Sequence, residues 1–168
     1  MTIKMILATG VNGEIGGDNK LLWNIPEDLS HFKEVTNGGN VLMGMNTFKS
    51  LPFKNGLPNR NNIVLTSDKK IPTLYNEHVT YINDLEMLLE FATLGYAPDL
   101  FVIGGASVYN LMKDTVEEVI LTKVNNTFEG ADCFMDMSWV LDETKWVVVS
   151  TEVLTSEAKV IVYKKLNK

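Results

Sequence analysis

A three-layer α/β fold, with a largely parallel sheet and helices on both faces, is what the sequence predicts. Three observations predict it. Short apolar runs of strand length alternate with stretches of helical periodicity along the chain, and strands separated by helical crossovers pair in parallel. Two of those runs, Asn40 to Gly44 and Leu100 to Ile103, pass straight through glycine into a helical stripe, and in parallel sheets ligands bind at such carboxyl ends. The last two runs are separated only by a short polar turn near Ser156-Glu157, which makes that pair antiparallel.

In order, Thr2 to Thr9 (TIKMILAT) is a buried strand. Gly10 to Trp23 follows without periodicity and holds Gly10, Gly13, Gly16 and Gly17. A connection of that length is either a lid over a ligand or a poorly ordered insertion. A helix starts near Pro26, whose missing N–H costs nothing in a first turn, and Glu27 and Asp28 favour the positive end of its dipole. Its inward face is Ile25, Leu29, Phe32 and Val35 or Thr36, and Gly38-Gly39 stops it. Asn40 to Gly44 is the second strand and Asn46 to Leu51 a short helix. Leu51 to Arg60 turns through Pro52, Asn55-Gly56 and Pro58 into a third strand, Asn62 to Thr66, closed by Ser67 to Lys70. Val79 to Ile82 is the fourth. Asp84 then caps an amphipathic helix to Leu94, marked by Leu85, Leu88, Leu89 and Ala92. Leu100 to Ile103 is the fifth strand, and a helix from Ala106 to Met112 follows Gly104-Gly105. Glu117 to Val124, Lys145 to Glu152 and Val160 to Leu166 complete eight strands.

With 168 residues, 45% of them hydrophobic, the chain is expected to be one domain that buries about 70% of its unfolded surface. No apolar run reaches membrane length and no leader precedes the first strand, so a cytoplasmic protein is expected. The single Cys133 excludes an internal disulfide framework, and with only His31 and His78 beside it there is no zinc cluster to build. Cys133 reads as a small core residue. A net charge of -6 argues against nucleic acid, which needs a basic face.

Asp28 carries the sharpest functional signal, because it puts an acid on the buried side of an otherwise apolar stripe, one turn before Phe32. It is either a dipole-stabilising acid at the stripe's edge or a carboxylate in an apolar pocket that pairs with a ligand's N–H groups. Three places could seat an anion: Gly44 to Thr47, Gly104 to Ser107, and Ser67 with Lys69 and Lys70. A Gly-Gly after a strand can also be only a tight turn, and no full dinucleotide fingerprint is present.

These segments, in this order, resemble dihydrofolate reductase over nearly the whole chain. The resemblance rests on Ile15-Gly16, Trp23-Asn24 and Pro26-x-Asp28-Leu29-x-x-Phe32-Lys33. It continues through Met43-Gly44 with Thr47-Phe48, Leu57-Pro58-x-Arg60-x-Asn62 and Val102-Ile103-Gly104-Gly105-x-x-Val108-Tyr109, and ends with Leu121-Thr122 and Asp132 after Gly130. It implies an eight-stranded sheet, parallel but for an antiparallel C-terminal edge strand, and NADPH-dependent reduction of 7,8-dihydrofolate to tetrahydrofolate, which feeds one-carbon metabolism and thymidylate synthesis. It further implies a monomer, open to antifolates of the diaminopyrimidine or diaminopteridine type.

The resemblance also distributes roles. Asp28 would recognise the pteridine through two parallel N–H bonds, with Thr122 orienting its carboxylate. Trp23 would hold the water that carries a proton to N5, admitted by the glycine-rich loop, and Leu21 would stand with it at the catalytic centre as part of the apolar wall. Ile6, Ala8, Leu29, Phe32, Leu51 and Ile103 would wall the substrate, beside Lys33, though each reads equally well as plain core, and Arg60 would clamp the glutamate tail. The cofactor would lie along Ala8, Ile15, Gly16 and Asn19, then Gly44, Met45, Asn46 and Thr47, then Thr66, Ser67, Lys69 and Lys70. Ile103, Gly104, Gly105, Ala106, Ser107, Val108, Tyr109 and Asp132 would complete its groove. Met45 and Ser107 stand where the family often places basic residues for the 2′-phosphate. Leu22 stands where proline commonly precedes the tryptophan, and Met135-Asp136 replaces an aromatic-proline pair. Two other readings stay open: a reductase of the same fold acting on a pyrimidine precursor of riboflavin, and a non-catalytic module that keeps the fold.

Overall fold

The computed structural model describes residues 1–18, 20–68, 78–93 and 97–167. Along the chain run β1 (Ile3–Thr9), β2 (Glu14–Gly16), α1 (Pro26–Thr36), β3 (Asn40–Gly44), α2 (Met45–Ser50), β4 (Asn61–Leu65) and β5 (Val79–Ile82). Then come α3 (Leu85–Thr93), β6 (Leu100–Gly104), α4 (Ala106–Met112), β7 (Glu118–Val124), β8 (Cys133–Phe134), β9 (Trp146–Val153) and β10 (Ala158–Lys165). Eight strands form one sheet in the order β5-β4-β3-β6-β1-β7-β10-β9, parallel from β5 to β7.

β10 runs antiparallel to its neighbours β7 and β9, as expected of the last strand. It is not the edge, however. β10 inserts beside β7 and β9 takes the border, because the turn at 154–157 sends the chain back between its own hairpin partner and the sheet. The burial records this: Ala158, Val160 and Tyr163 are buried, whereas β9 is exposed after Trp146.

Side chains alternate across the sheet and build a core on each face. Met5, Leu7, Leu42, Val102 and Leu121 pack with Val108, Tyr109 and Met112 of α4, and Leu85, Leu88 and Leu89 of α3 lean on the same cluster. Ile6, Val41, Met43, Phe101 and Ile120 face the other way, toward Phe32 and Val35 of α1 and Phe48 of α2. The central strands are therefore covered twice, which is why they read as continuous apolar runs.

Helix α1 begins where Pro26 allows, with Glu27 and Asp28 in its first turn and Lys33 in its last. Its stripe is less uniform than the periodicity suggests. Ile25 and Thr36 are buried and Phe32 and Val35 half-buried, but Leu29 is 48% exposed. Asp84 caps α3 as expected, accepting the Glu86 N–H at 2.9 Å. The 10–23 connection is neither helix nor free loop: β2 pairs antiparallel with β8, and Gly17 and Lys20 form a bridge. Cys133 lies in β8, half-buried, and not in the core.

Candidate active site

The carboxyl ends of β1 and β7 carry the acid's support. Ala8 and Thr122 are register partners there, and Thr122, two residues from Ile120, points to the face that α1 covers. Asp28 reaches down from the first turn of α1, and the Thr122 hydroxyl donates to its Oδ1 at 2.7 Å. Thr122 is buried and Asp28 half-buried. One carboxylate oxygen is thus held from the sheet, leaving Oδ2 and the second lone pair of Oδ1 for a ligand.

Trp23 flanks this acid in sequence at the end of the glycine-rich connection. Its indole Nε1 is buried and has no hydrogen-bond partner among the described residues, while its ring packs on Phe128 at a centroid distance of 5.1 Å. A buried, unpaired N–H donor is costly unless something polar meets it. Leu21, two residues earlier, is 59% exposed. The connection is pinned to the segment after β7 at several points: the Asp18 N–H donates to Asp132 Oδ2 at 3.0 Å, and the Met135 N–H to Gly13 O at 2.8 Å. Gly13 has φ +82, and a Cβ there would come 2.6 Å from Met135 O, so only glycine suits this crossing.

The two strand–glycine–helix turns lie side by side, since β3 and β6 are paired and Met43 faces Gly104. A Cβ on Gly44 would press on Val108 at 3.2 Å, and one on Gly105 would sit 3.4 Å from the Thr47 hydroxyl. Gly104, with φ +123, has its missing Cβ 3.2 Å from the Tyr109 ring. The N-cap residues of α2 and α4, Gly44 and Gly105, bring no side chain to cap either first turn, so the backbone N–H groups there can turn to a ligand beside this glycine-lined shelf. A pyrophosphate-bearing cofactor fits such a donor set.

The Val108 and Tyr109 side chains lie against the glycines of that shelf, each 3.2 Å from where a Cβ would stand. Both are buried, and the Tyr109 hydroxyl donates to Ile6 O at 3.0 Å. Burial pushes that phenol well above its ordinary value, with the charges of Cys133 and Asp28 adding to the effect. Their place three and four residues into the turn aims them back under the helix, so they anchor α4 beneath the shelf.

Arg60 is set by a second device. Its Nε donates to Pro58 O at 2.8 Å and its guanidinium to the Thr36 hydroxyl at 3.2 Å, while that hydroxyl donates to Phe32 O at 2.8 Å. Desolvation lowers the guanidinium's pKa, though it stays charged. Buried Asn62 holds the loop, accepting the Leu57 N–H and donating to the carbonyls of Leu57, Arg60 and His78. Gly56, at φ +78, leaves the room that the Asn62 side chain occupies. The motif marks Asn62 without showing its role, and Thr36 does not stand out as functional in the sequence, because nothing local marks a threonine whose partner lies in another element.

Among the remaining expected residues, Ile6 is buried, and Phe32, Leu51, Met45 and Ile103 are half-buried against its cluster. Ala8, Ile15, Gly16 and Ala106 are half-buried. Lys33, Asn46, Ser67 and Ser107 are exposed. The Thr66 hydroxyl accepts the Asp68 N–H at 3.1 Å, and the contact of Asp132 is with Asp18 in the loop. Asn19, Lys69 and Lys70 lie outside the described residues. Of two surface concavities, one of about 690 Å³ runs along Glu27, His31 and Glu34 on α1, and one of about 360 Å³ by Asn40, Asn61 and Met87 reaches the site at Arg60 and Asn62.

A carboxylate steadied on a strand, a buried indole N–H beside it in sequence and a glycine-lined shelf at the carboxyl ends of a parallel sheet are the arrangement of an α/β protein that seats a phosphate-bearing ligand and a partner rich in N–H donors. The comparisons with known proteins narrow that class. The family model described as dihydrofolate reductase matches residues 2–166. Dihydrofolate reductase of Bacillus subtilis is 36% identical over 157 residues, covering 94% of this chain and 87% of the relative. That of Staphylococcus aureus is 34% identical over 135 residues, covering 80% of this chain and 78% of the relative. Enterococcus faecalis dihydrofolate reductase, solved in complex with NADP(H) and RAB-propyl, superposes with a TM-score of 0.82 at 28% identity, covering 99% of this chain and 97% of that one. The chain belongs to the dihydrofolate reductase family. It is an enzyme that reduces 7,8-dihydrofolate to 5,6,7,8-tetrahydrofolate with NADPH.

Proposed function

We propose that Asp28 is the residue on which dihydrofolate is oriented for this reduction, and that Thr122, Trp23 and Arg60 complete its recognition. The hydrogen bond from Thr122 to Asp28 Oδ1 is the observation that carries this reading. With one oxygen steadied, the carboxylate accepts two parallel N–H bonds from the 2-amino group and the neighbouring ring nitrogen, a charge-assisted pair that fixes which face of the ring is presented. NADPH, when bound, supplies the hydride that goes to C6. A proton must then reach N5, and the unpaired Trp23 N–H is suited to hold the water that delivers it. Arg60 receives the α-carboxylate of the glutamate tail.

Ile6, Ala8, Leu29, Phe32, Leu51 and Ile103 wall the substrate, with Lys33 at its outer end and Leu21 in the loop over the ring. The half-exposed Leu29 supports this, since an apolar side chain left at a helix's inner edge gains contact when a ring lies on it. Gly44 to Thr47 and Gly104 to Ser107 hold the cofactor's phosphates through backbone N–H groups. Ala8, Ile15, Gly16, Asn19 and Asp132 lie toward its nicotinamide end, with Thr66, Ser67, Lys69 and Lys70 toward its adenosine phosphate. Antifolates of the diaminopyrimidine or diaminopteridine type enter the Asp28 pocket as cations. Because one chain supplies every group named, we read the protein as a monomer; its unpaired Cys133 suits the cytoplasm.

The test follows NADPH absorbance after adding dihydrofolate. Asp28→Asn should bind NADPH as the parent does, yet transfer hydride slower by about a hundredfold or more, since the amide cannot supply the charge. Unchanged turnover near neutral pH removes Asp28 from the chemistry.

A further inference from the structure

Glu14 is the one buried charged side chain among the described residues, 2% exposed, and no step above uses it. It lies in β2, inside the glycine-rich connection, yet its carboxylate serves two segments. Oε2 accepts the Asn12 N–H at 2.8 Å and Oε1 accepts the Phe128 N–H at 3.3 Å, a contact across 114 residues of sequence. Gly10 closes over Oε2 so tightly that a Cβ there would collide with it. The Gly10 N–H donates to Glu14 O and the Val11 N–H to Asn126 O, so the same two segments are also joined through their backbones. The donors outweigh burial and hold the carboxyl below its usual range, which keeps it ionised and accepting.

Phe128 is the residue whose ring meets Trp23, and Trp23 ends the connection that Glu14 organises. One partner of that ring pair, Phe128, is therefore held by the carboxylate, and the pair places a buried indole N–H that has no hydrogen-bond partner among the described residues. We propose that Glu14 is a positioning residue for the reduction: through Phe128 it fixes where the Trp23 N–H points. The inference rests on the reading of Trp23 given above. An N–H that must hold one water in a set direction tolerates little displacement, so loosening Phe128 costs rate more than it costs substrate binding.

The test is a cycle of variants read by single-turnover hydride transfer at saturating NADPH and dihydrofolate, with dihydrofolate KM and thermal midpoint measured alongside. Glu14→Gln keeps the volume but offers only one acceptor, and its amide N–H₂ opposes a backbone N–H. It should slow hydride transfer about tenfold, with KM within about twofold of the parent. Trp23→Phe should slow it as well, and adding Glu14→Gln to Trp23→Phe should slow it no further, because both act on one group. Phe128→Leu, which leaves the carboxylate untouched, should reproduce the Glu14→Gln loss even if that variant folds poorly. Additive losses, a Phe128→Leu rate equal to the parent's, or a Glu14→Gln variant that melts earlier yet transfers hydride normally would each overturn the proposal while leaving Trp23 in place. Trp23→Phe at the parent rate would overturn both readings.

Discussion

The Thr122 hydroxyl stands 2.7 Å from Asp28 Oδ1, joining β7 to α1 across 94 residues of chain. The strand is rigid, paired on one side with β1 and on the other with β10, so the carboxylate is referred to the sheet rather than to the helix that bears it. Thr122→Val keeps the branched shape and the β-propensity but removes the donor. The expected result is a roughly tenfold fall in kcat/KM for dihydrofolate, since about 1 to 1.5 kcal/mol of orientation is lost. Thr122→Ser should recover most of it. Steady-state kinetics on the three proteins decide, and equal values for all of them would make the bond incidental.

Arg60 offers a prediction of a different kind, because its fork is held on one side by Pro58 O and Thr36 and leaves the rest for a carboxylate. Arg60→Lys keeps the charge and loses the two-pronged geometry. KM for dihydrofolate should rise about tenfold or more, as expected for losing a charge-assisted hydrogen bond of about 1.5 to 3 kcal/mol. A reduced pterin lacking the glutamate tail should not distinguish the two proteins. If it does, Arg60 acts on the ring or on the fold.

Much of this arrangement is legible in the chain, and what is not has a common cause. Pro26 with two acids announces α1, and the glycines after apolar runs announce the two turns, because those signals lie within a few residues of their effect. β8 is two residues long and exists only because β2 lies against it, so no periodicity could show it. The place of β10 inside the sheet is likewise a choice between hydrogen-bonding neighbours. Tyr109 shows the same limit at the site: the motif marks the residue, but only its buried hydroxyl on Ile6 O reveals that it anchors α4. Glu14 is hardest of all, since a glutamate between glycines reads as solvated loop until Phe128 arrives from the far end of the chain.

Acid stability should depend on Asp99. Its Oδ1 accepts the Thr2 N–H at 3.0 Å and its Oδ2 pairs with Lys4 at 3.0 Å, where Lys4 also reaches Glu118 at 3.5 Å. Burial raises the Asp99 pKa, but the N–H and the lysine outweigh it and hold the carboxyl below its ordinary 3.8. A depressed folded value means that the folded state binds fewer protons than the unfolded state. The stabilisation is therefore complete above the ordinary value and lost as pH falls through the folded one. Urea midpoints measured from about pH 6 down to about pH 2.5 should fall less steeply for Asp99→Asn than for the parent. Parallel curves would place the acid sensitivity elsewhere.

The cofactor's 2′-phosphate supplies the last prediction. It carries nearly two charges, and a site that selects NADPH over NADH normally surrounds it with arginine forks. At the start of α2, Met45 instead turns its side chain toward the apolar cluster around Ile6 and Val41, and at the start of α4 the exposed Ser107 offers only a hydroxyl. Under the cofactor reading proposed above, the phosphate is left to Ser67 and Asn46 and, outside the described residues, to Lys69 and Lys70, with Asp68 opposing them in sequence. Exposed lysines contribute about 1 kcal/mol or less each, and salt screens them over roughly 8 Å at physiological strength. NADPH should still be preferred, but by a smaller and more salt-sensitive margin than two arginines would give. The ratio of kcat/KM for the two cofactors, at low and high salt, should fall in Lys70→Ala and rise in Met45→Arg, whose longer cationic side chain can leave the apolar cluster for the shelf. If the ratio ignores salt and neither substitution moves it, the phosphate is held by other residues and the lysines are not its site.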